Sequence, residues 1–476
     1  MSFKKAIERS GQYLPSSARN YFSDVMNGGK SDVGPPSSAA GHIDDARWID
    51  TGVLAVTGWA LPRQSGDVFL SIDGGGTLAL TETLTVQRLD VAAQHGNEFG
   101  PLAAESGFLA CFEKRTRKPA KVSLVARENG KKRILHQCKV THAEFDPVKH
   151  AHWLFSNRTP RHALSDRYTS VDMPFIGGVI DMRNRALSDS KVDRWTFGRM
   201  PSNPQASVIV PLYGRWDFVE HQLLGFATDP EFQAATELIY VVDDPNILAG
   251  FLSRANEFFE LYDVPFSIVW GHANRGYSGA NNLGASLASG RFLVFLNSDA
   301  FPTAPGWVEA LTGQLDERPE FGVVAPRLLF PDGGLQHVGM EFRWNSTFDV
   351  WINDHPLLGL PPQADGTVGI VERHAVTGAC MVVRREEFLT LGGFDSGYLI
   401  GDFEDSDLCL RYRAAGLLPG YYPGVELTHL ERQSIKGAGD SEFRQMVTIF
   451  NAVRHQLRWG NAIEELAVES MREAAQ

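Results

Sequence analysis

Phe292-Leu293-Val294-Phe295-Leu296-Asn297-Ser298-Asp299-Ala300 decides the fold. Five apolar residues run straight into polar ones, the signature of a buried strand in a parallel sheet. In open α/β sheets, ligands sit just beyond the carboxyl ends of such strands. Asn297 and Asp299 are two residues apart there, so their side chains point to the same side. Two oxygen donors at that place suit a hard divalent cation, Mg²⁺ or Mn²⁺. An ordinary Asn-Ser-Asp turn after a strand is the competing reading.

Outward from this stretch the same texture repeats. Upstream lie Ala206-Ser207-Val208-Ile209-Val210-Pro211, a strand expected to end at Pro211, and Glu237–Val242, a strand ending in Asp243-Asp244-Pro245. Phe266–Trp270 then leads into Asn274-Arg275-Gly276-Tyr277-Ser278-Gly279-Ala280-Asn281. Helical patterns fall between the strands, so the spacing predicts an α/β domain with a mostly parallel sheet. Pro211, Asp243, Asp244, Asn274, Asn297 and Asp299 would then line one nucleotide-sized crevice.

Further motifs follow in order: Thr377-Gly378-Ala379-Cys380, Gly392-Gly393-Phe394-Asp395, Glu404-Asp405-Ser406-Asp407-Leu408 and Thr428-His429. The whole series, over residues 206–434 and about half the chain, resembles an inverting GT-A glycosyltransferase of family 2. It is most similar to the rhamnosyltransferase-like enzymes of bacterial surface polysaccharide assembly. The resemblance implies a nucleotide-diphospho-sugar donor, a glycan or lipid-linked glycan acceptor, and Mn²⁺ or Mg²⁺ as cofactor. Asp243 holds the position of a base- or ribose-binding carboxylate, and Asp244 can share that role. Small and amide residues from Asn274 through Gly276, Ser278 and Asn281 would let backbone approach the nucleotide; a helix N-terminal region is the plainer reading. Ser298, Gly378 and Ala379 complete the donor set. Asp299 matches the metal-binding aspartate of the family, while Asn297 replaces an acid and removes one charge. His429 stands where some members complete the metal site; a lone His is otherwise structural.

Among Asp402, Glu404, Asp405 and Asp407, the family pattern gives the base to Asp405, with Glu404 supporting or replacing it. Leu408, Tyr412 and Ala415 recur at helical spacing until Gly416, which reads as a C-terminal cap. Asp405 would therefore lie near a helix N-terminus, where the positive end favours the ionised carboxylate and a low pKa. Capping by Asp405 or Asp407 is the alternative. Glu431–Gly439 is Gly-rich and basic. It reads either as a lid, with Arg432 and Lys436 facing the diphosphate, or as a solvated loop. Trp344, Phe348, Trp351 and His355 lie among amides and acids in the variable region 327–375 and suit either an acceptor sugar or a surface loop. His455-Gln456-Leu457-Arg458-Trp459 resembles the QxxRW signature of processive membrane synthases, but one residue short and with no membrane helices. Phe443–Trp459 reads instead as a helix packed on the catalytic domain.

The front of the chain differs. Short apolar runs at 53–60, 68–72, 107–112 and 122–126 are separated by turns such as Asp73-Gly74-Gly75-Gly76 and Glu128-Asn129-Gly130. This predicts an all-β sandwich-like domain over residues 42–145. Trp48 and Trp59 there serve either core packing or sugar stacking. The expected order is a flexible arm and linker (1–41), the β domain (42–145), a connector (146–203), the GT-A domain (204–460) and a C-terminal helix (461–476). Residues 3–26 read as a loosely ordered arm or as an interfacial helix touching a membrane peripherally.

The chain has 476 residues and a formal net charge of -12. That balance argues against nucleic acid as a partner. Four cysteines without CxxC spacing argue against structural zinc and fit a reducing compartment. No apolar run approaches a membrane span and no signal peptide is evident, so a cytoplasmic place is expected, if anything at the inner face of the membrane. Two other function classes compete. A sugar nucleotidyltransferase should carry a Gly-rich, Arg-containing loop after the first strand, and Pro211-Leu212-Tyr213-Gly214-Arg215-Trp216 does not fit. A non-catalytic carbohydrate-binding or scaffold protein would not be expected to keep Asp299, Asp405 and His429.

Overall fold

The computed structural model describes residues 39–61, 67–113, 115–128, 130–160, 163–430 and 441–474. The arm at 3–26, the Glu431–Gly439 stretch and Arg432 with it lie outside the described residues. The chain divides into two compact units, residues 1–183 and 184–476, so the division falls inside the stretch expected to be connector.

The first unit holds β1 (Ala40–Ile49), β2 (Val53–Leu61), β3 (Asp67–Ile72), β4 (Thr77–Ala79), β5 (Leu84–Val86), β6 (Gly107–Phe112), β7 (Lys121–Glu128), β8 (Lys131–Lys139) and β9 (Thr141–His142). They form two sheets, β5-β6-β2-β1-β9 and β4-β3-β7-β8. Alternate residues of both, among them Ile43, Val56 and Phe108 from one and Leu70, Val122 and Leu124 from the other, meet in one core. The two expected glycine turns join β3 to β4 and β7 to β8. Trp48 belongs to that core. Trp59 is half-buried, its ring 5.2 Å from that of His95. Helical segments depart from the all-strand expectation: α1 (Leu89–Phe99), followed by a 3-10 turn at Gly100–Glu105, lies between β5 and β6 and buries Val91, Ala92 and Phe99 in a small cluster with Leu61 of β2. Its two alanines and two buried large side chains give too sparse an apolar pattern to mark it in the sequence.

In the second unit, β10 (Asp193–Phe197), β11 (Ala206–Leu212), β12 (Thr236–Val242), β13 (Phe266–Trp270) and β14 (Phe292–Leu296) are followed by β15 (Ala300–Pro302), β16 (Phe321–Leu329), β17 (Leu335–His337), β18 (Glu341–Asn345), β19 (Val350–Asp354), β20 (Val371–Glu372), β21 (Cys380–Arg384) and β22 (Leu418–His429). The main sheet runs β10-β13-β12-β11-β14-β21-β16-β22-β15. β13, β12, β11 and β14 are parallel neighbours, as the spacing predicts. Beyond β14 the expected parallel pattern gives way: β21 pairs antiparallel with both β14 and β16, and only β16 and β22 are again parallel. The sheet is therefore mixed. Pro211 lies inside β11, opposite Val241 of β12, rather than at its end. The pairing of β11 with β14 stops at Ile209, so the missing N–H of Pro211 breaks no ladder bond there.

Both faces of the central strands are covered, which explains their unbroken apolar sequences. On one face Val208, Val210, Tyr240 and Val294 pack with α2 (Phe218–Ala227), α3 (Pro245–Tyr262) and α4 (Trp307–Glu317). On the other, Ile209, Val241, Leu293 and Phe295 pack with α5 (Gly276–Leu287) and α6 (Glu404–Ala414). Gly284 of α5 is a close-packing position: a Cβ there would lie 2.5 Å from the Ile209 side chain. The chain closes with α7 (Ser441–Ala474), one continuous helix of 34 residues where a break near residue 460 was expected. No helix of the described residues is long and apolar enough to cross a membrane.

Candidate functional site

The parallel strands β12, β11 and β14 end on one edge, and that edge gathers most of the predicted residues. Asp243, buried just past β12, accepts a hydrogen bond from the Arg275 backbone N–H at 2.6 Å. Asn274 Oδ1 accepts from Gly276 N at 3.0 Å and turns the chain into α5. Ser278 and Asn281 are buried on α5; Asn281 Nδ2 donates to Tyr277 O at 3.1 Å, and its Oδ1 has no partner. Asp244 has a different task. It is the N-cap of α3, accepting from Asn246 N at 2.9 Å and Gly214 N at 3.2 Å. Asp244→Ala is expected to cost about 1 kcal/mol of stability, the usual value of a lost cap, with donor affinity nearly intact. Asp243→Ala is expected to weaken donor binding. Thermal unfolding and nucleotide titration of both variants check this.

The register of β15 and β22 sets His429 opposite Ala300, and so beside Asp299. His429 Nε2 lies 3.3 Å from Asp299 Oδ1 and 3.3 Å from the Asn297 side-chain amide. His429 Nδ1 is 2.7 Å from Gln336 Oε1, which can only accept. Nδ1 therefore carries a proton toward Gln336, and Nε2 is the ring nitrogen that faces Asp299 and Asn297. This is the outer-shell arrangement that orients a metal-binding imidazole. A buried Gln222 holds the turn from beneath, its Nε2 donating to Asn297 O at 3.0 Å and Ala300 O at 3.2 Å. Among the described residues no group of three or more His, Cys, Asp or Glu is arranged to hold a metal. One carboxylate and one imidazole nonetheless fit an ion that takes its remaining ligands from phosphate and water, while Asn297 turns its Nδ2, a donor, toward His429. Neither Gln222 nor Gln336 stands out in the sequence, since both work only through long-range register.

The loop Gly378-Ala379 links this corner to the acidic motif. Asn297 N donates to Ala379 O at 2.9 Å, and Gly378 N donates to Asp405 Oδ2 at 3.0 Å. Tyr277 Oη donates to Gly378 O at 2.5 Å, and a Cβ at residue 378 would lie 2.6 Å from that oxygen. Asp405 also accepts from Ser406 N at 2.8 Å. The low pKa expected from its place at the start of α6 is not found: burial, with Asp402 nearby, outweighs these N–H donors and moves it up to about 6. Glu404 is driven higher still by burial and by Asp405 and Asp402, and its Oε2 has no partner. Of the two, burial and the neighbouring acids push Glu404 up further than Asp405. Asp407 caps nothing. It is fully buried and accepts from Arg411 Nε at 2.9 Å, Arg458 at 2.9 Å and Trp459 Nε1 at 2.7 Å.

Those last two donors show what α7 does. The Arg458-Trp459 pair anchors the helix that carries Asp405. Higher on α7, Ser406 Oγ lies 3.2 Å from His455 Nε2. Thr448 Oγ1 donates to Asp402 at 3.0 Å. The fully buried Asn451 accepts from Leu399 N at 2.9 Å and donates to Leu399 O at 3.0 Å and Gly401 O at 2.6 Å. The clamped loop is strained: Ile400, Asp402 and Phe403 have φ of +66°, +78° and +74°, a region costly for residues other than glycine and more so for a β-branched one. Asn451→Ala is expected to lower turnover by about tenfold or more, the scale at which a small misplacement of a reacting group is felt. Ile400→Gly in the same chain should restore part of it by removing the strain. Steady-state rates of the two single variants and the double variant test this.

In the region 327–375, Trp344 and Trp351 face each other across the β18–β19 hairpin, ring centroids 5.4 Å apart, with Trp344 exposed. Asn353 of β19 donates to Ser406 Oγ at 3.1 Å and so reaches the residue next to Asp405. Phe348 and His355 are half-buried, and His355 Nδ1 lies 3.5 Å from His337 Nδ1.

Residues 207–386 match the family model Glycosyl transferase family 2, and the chain therefore carries a domain of that family. Among curated proteins it is 31% identical to the O-antigen biosynthesis protein RfbC of Myxococcus xanthus, over 48% of this chain and 18% of that one. It is 28% identical to the uncharacterized protein y4gI of Sinorhizobium fredii, over 59% and 30%. It is also 28% identical to the N-acetylglucosaminyl-diphospho-decaprenol L-rhamnosyltransferase of Mycobacterium tuberculosis, over 33% and 53%. The chain thus spans between about a fifth and about half of these relatives. Among solved structures it is similar to GalNAc-T7 with UDP, GalNAc and Mn²⁺, with 18% identity over 55% of this chain and 50% of that one and a TM-score of 0.43. It is also similar to the mannosyltransferase PcManGT from Pyrobaculum calidifontis in complex with GDP-Man and Mn²⁺, with 16% identity over 66% and 88% and a TM-score of 0.36.

Proposed function

We propose that this chain is a metal-dependent, inverting glycosyltransferase that moves a sugar from a nucleotide-diphospho-sugar to a glycan or lipid-linked glycan acceptor in bacterial surface polysaccharide assembly. The observation that carries the reading is the joining of two half-sites through Gly378-Ala379. The Asp299–His429 pair lies on one side and Asp405 on the other, within a family 2 domain. Asp243 and the Asn274–Asn281 turn take the nucleoside. Asp299 and His429, with Asn297, would hold a divalent cation, which when bound offsets diphosphate charge. Asp405 accepts the proton of the acceptor hydroxyl as the new C–O bond forms, and the nucleoside diphosphate leaves with its electron pair from the opposite face of the sugar. Backside displacement inverts the anomeric centre.

The chemistry is assigned to residues 204–460 and an accessory role to residues 42–145. A fragment beginning at residue 146 is expected to keep donor hydrolysis; its loss in a folded fragment would refute that assignment. The function itself is tested by donor turnover with UDP-, GDP- and dTDP-sugars, with and without Mn²⁺. No turnover of any donor, with sugar binding retained, would favour a carbohydrate-binding protein.

A further inference from the structure

The first unit carries a charged face that the transferase chemistry does not use. Residues 114–139 contain ten Lys and Arg against one Glu, in a chain whose formal net charge is -12. Val122, Leu124 and Ala126 of β7 point into the sandwich core, so Lys121, Val125 and Arg127 point outward. The register of the β7–β8 hairpin sets Lys139 opposite Lys121, Ile134 opposite Val125, and Lys132 opposite Arg127. Two like-charge pairs therefore face each other directly across one hairpin, an arrangement that destabilises a sheet. Phe69 of the neighbouring strand lies beneath the Arg127 guanidinium and the Lys132 ammonium, each 5.6 Å from the ring centroid. Arg133 is taken up by Glu128 at 3.1 Å. Lys121, Lys132 and Lys139 of that face are exposed, as is Lys131, which flanks it at the hairpin's end opposite Glu128, and none forms an ion pair among the described residues. Ile134 is 57% exposed in their midst. β8 is an edge strand of its sheet.

We propose that the outer face of β7 and β8 docks this protein on an anionic membrane surface. Cross-strand repulsion that costs stability in water is relieved when anionic headgroups lie between the cations. The face is a sheet surface, not a cleft. Its cations are mostly lysines, hydrated point charges suited to a diffuse plane of phosphates rather than the planar forks that read a single carboxylate or phosphate. An exposed isoleucine among lysines matches the boundary between headgroups and acyl chains. This gives the accessory unit a task, holding the chain where a lipid-linked acceptor is presented.

The test is co-sedimentation of the full chain with vesicles of phosphatidylcholine alone or mixed with phosphatidylglycerol. Binding is expected only to the anionic vesicles and is expected to weaken with salt. Near such a surface each lysine is worth about fivefold in partitioning, so the variant Lys121→Ser, Lys131→Ser, Lys132→Ser, Lys139→Ser should bind about 10²–10³-fold more weakly. Ile134→Thr should weaken it less. A thermal midpoint at or above that of wild type would confirm that the variants fold. Equal binding by wild type and the fourfold variant overturns the proposal. So does binding that disappears on deleting residues 1–38 but persists in the fourfold variant, or binding to duplex DNA with none to the vesicles. None of these outcomes depends on donor turnover, so the proposal can fail without the transferase reading.

Discussion

Asp405→Asn is expected to lower turnover by about 10²–10⁴-fold, the scale of general-base loss, while nucleotide affinity stays near wild type. Asp405 is the carboxylate of its motif that meets the Gly378-Ala379 loop: Gly378 and Ser406 N–H groups hold its oxygens at 3.0 and 2.8 Å. Glu404 is more deeply buried, lacks a partner at Oε2 and is pushed up further by burial and by Asp405 and Asp402, so Glu404→Gln should leave turnover within a few-fold of wild type. Asp407 is committed to four donors, from Tyr398, Arg411, Arg458 and Trp459. The pH dependence follows with a definite sign. A base must be deprotonated to act, and burial raises Asp405 to about 6. Turnover should therefore rise with pH through about 6 and fall away on the acid side, and Asp405→Asn should lose that limb. A product assay across pH with calorimetric nucleotide titration measures both. Near-normal turnover in Asp405→Asn with collapse in Glu404→Gln would move the role to Glu404.

What the sequence discloses here is whatever is local. Strands β11 to β14 are written as apolar runs because both faces are buried, and their polar ends mark the crevice. The cap at Gly416 (φ +82°) and the glycine turns of the first unit are likewise local chemistry. The mixed character of the sheet beyond β14 is not local, because the direction of β21 depends on a chain reversal that no residue pattern encodes. The same limit explains the site. Asp299 and Asp405 announce themselves by neighbours in sequence. Gln336 lies 93 residues from His429, and Asn451 lies 52 from Leu399; both act through hydrogen bonds set by register and packing. The raised pKa of Asp405 is hidden from the sequence for a related reason: helix position is visible there, but the depth at which the carboxyl sits is not. Arg458 and Trp459 look like a displaced synthase motif, and only contact with Asp407 gives them a role.

Asp299→Ala is expected to abolish measurable turnover, a loss of about 10²–10³-fold or more, as when a main electrostatic partner of the leaving group is removed. Asp299 is the only carboxylate within reach of His429 Nε2 among the described contacts, at 3.3 Å. With Asn297 in place of an acid, Asp299 is the carboxylate that the described residues bring to His429, and its loss removes that negative charge. The same reasoning makes Gln336 informative although it touches neither donor nor acceptor. Its Oε1 fixes the Nδ1 proton of His429 at 2.7 Å, leaving Nε2 free to ligate. Gln336→Leu should therefore weaken Mn²⁺ binding by about 10–100-fold, the usual effect of removing an outer-shell partner, with metal-free folding little changed. Mn²⁺ titration followed by paramagnetic relaxation of water protons reads this without turnover. Full activity in excess chelator would end the metal reading for this corner. Unchanged Mn²⁺ affinity in both Asp299→Ala and Gln336→Leu would place the cation elsewhere.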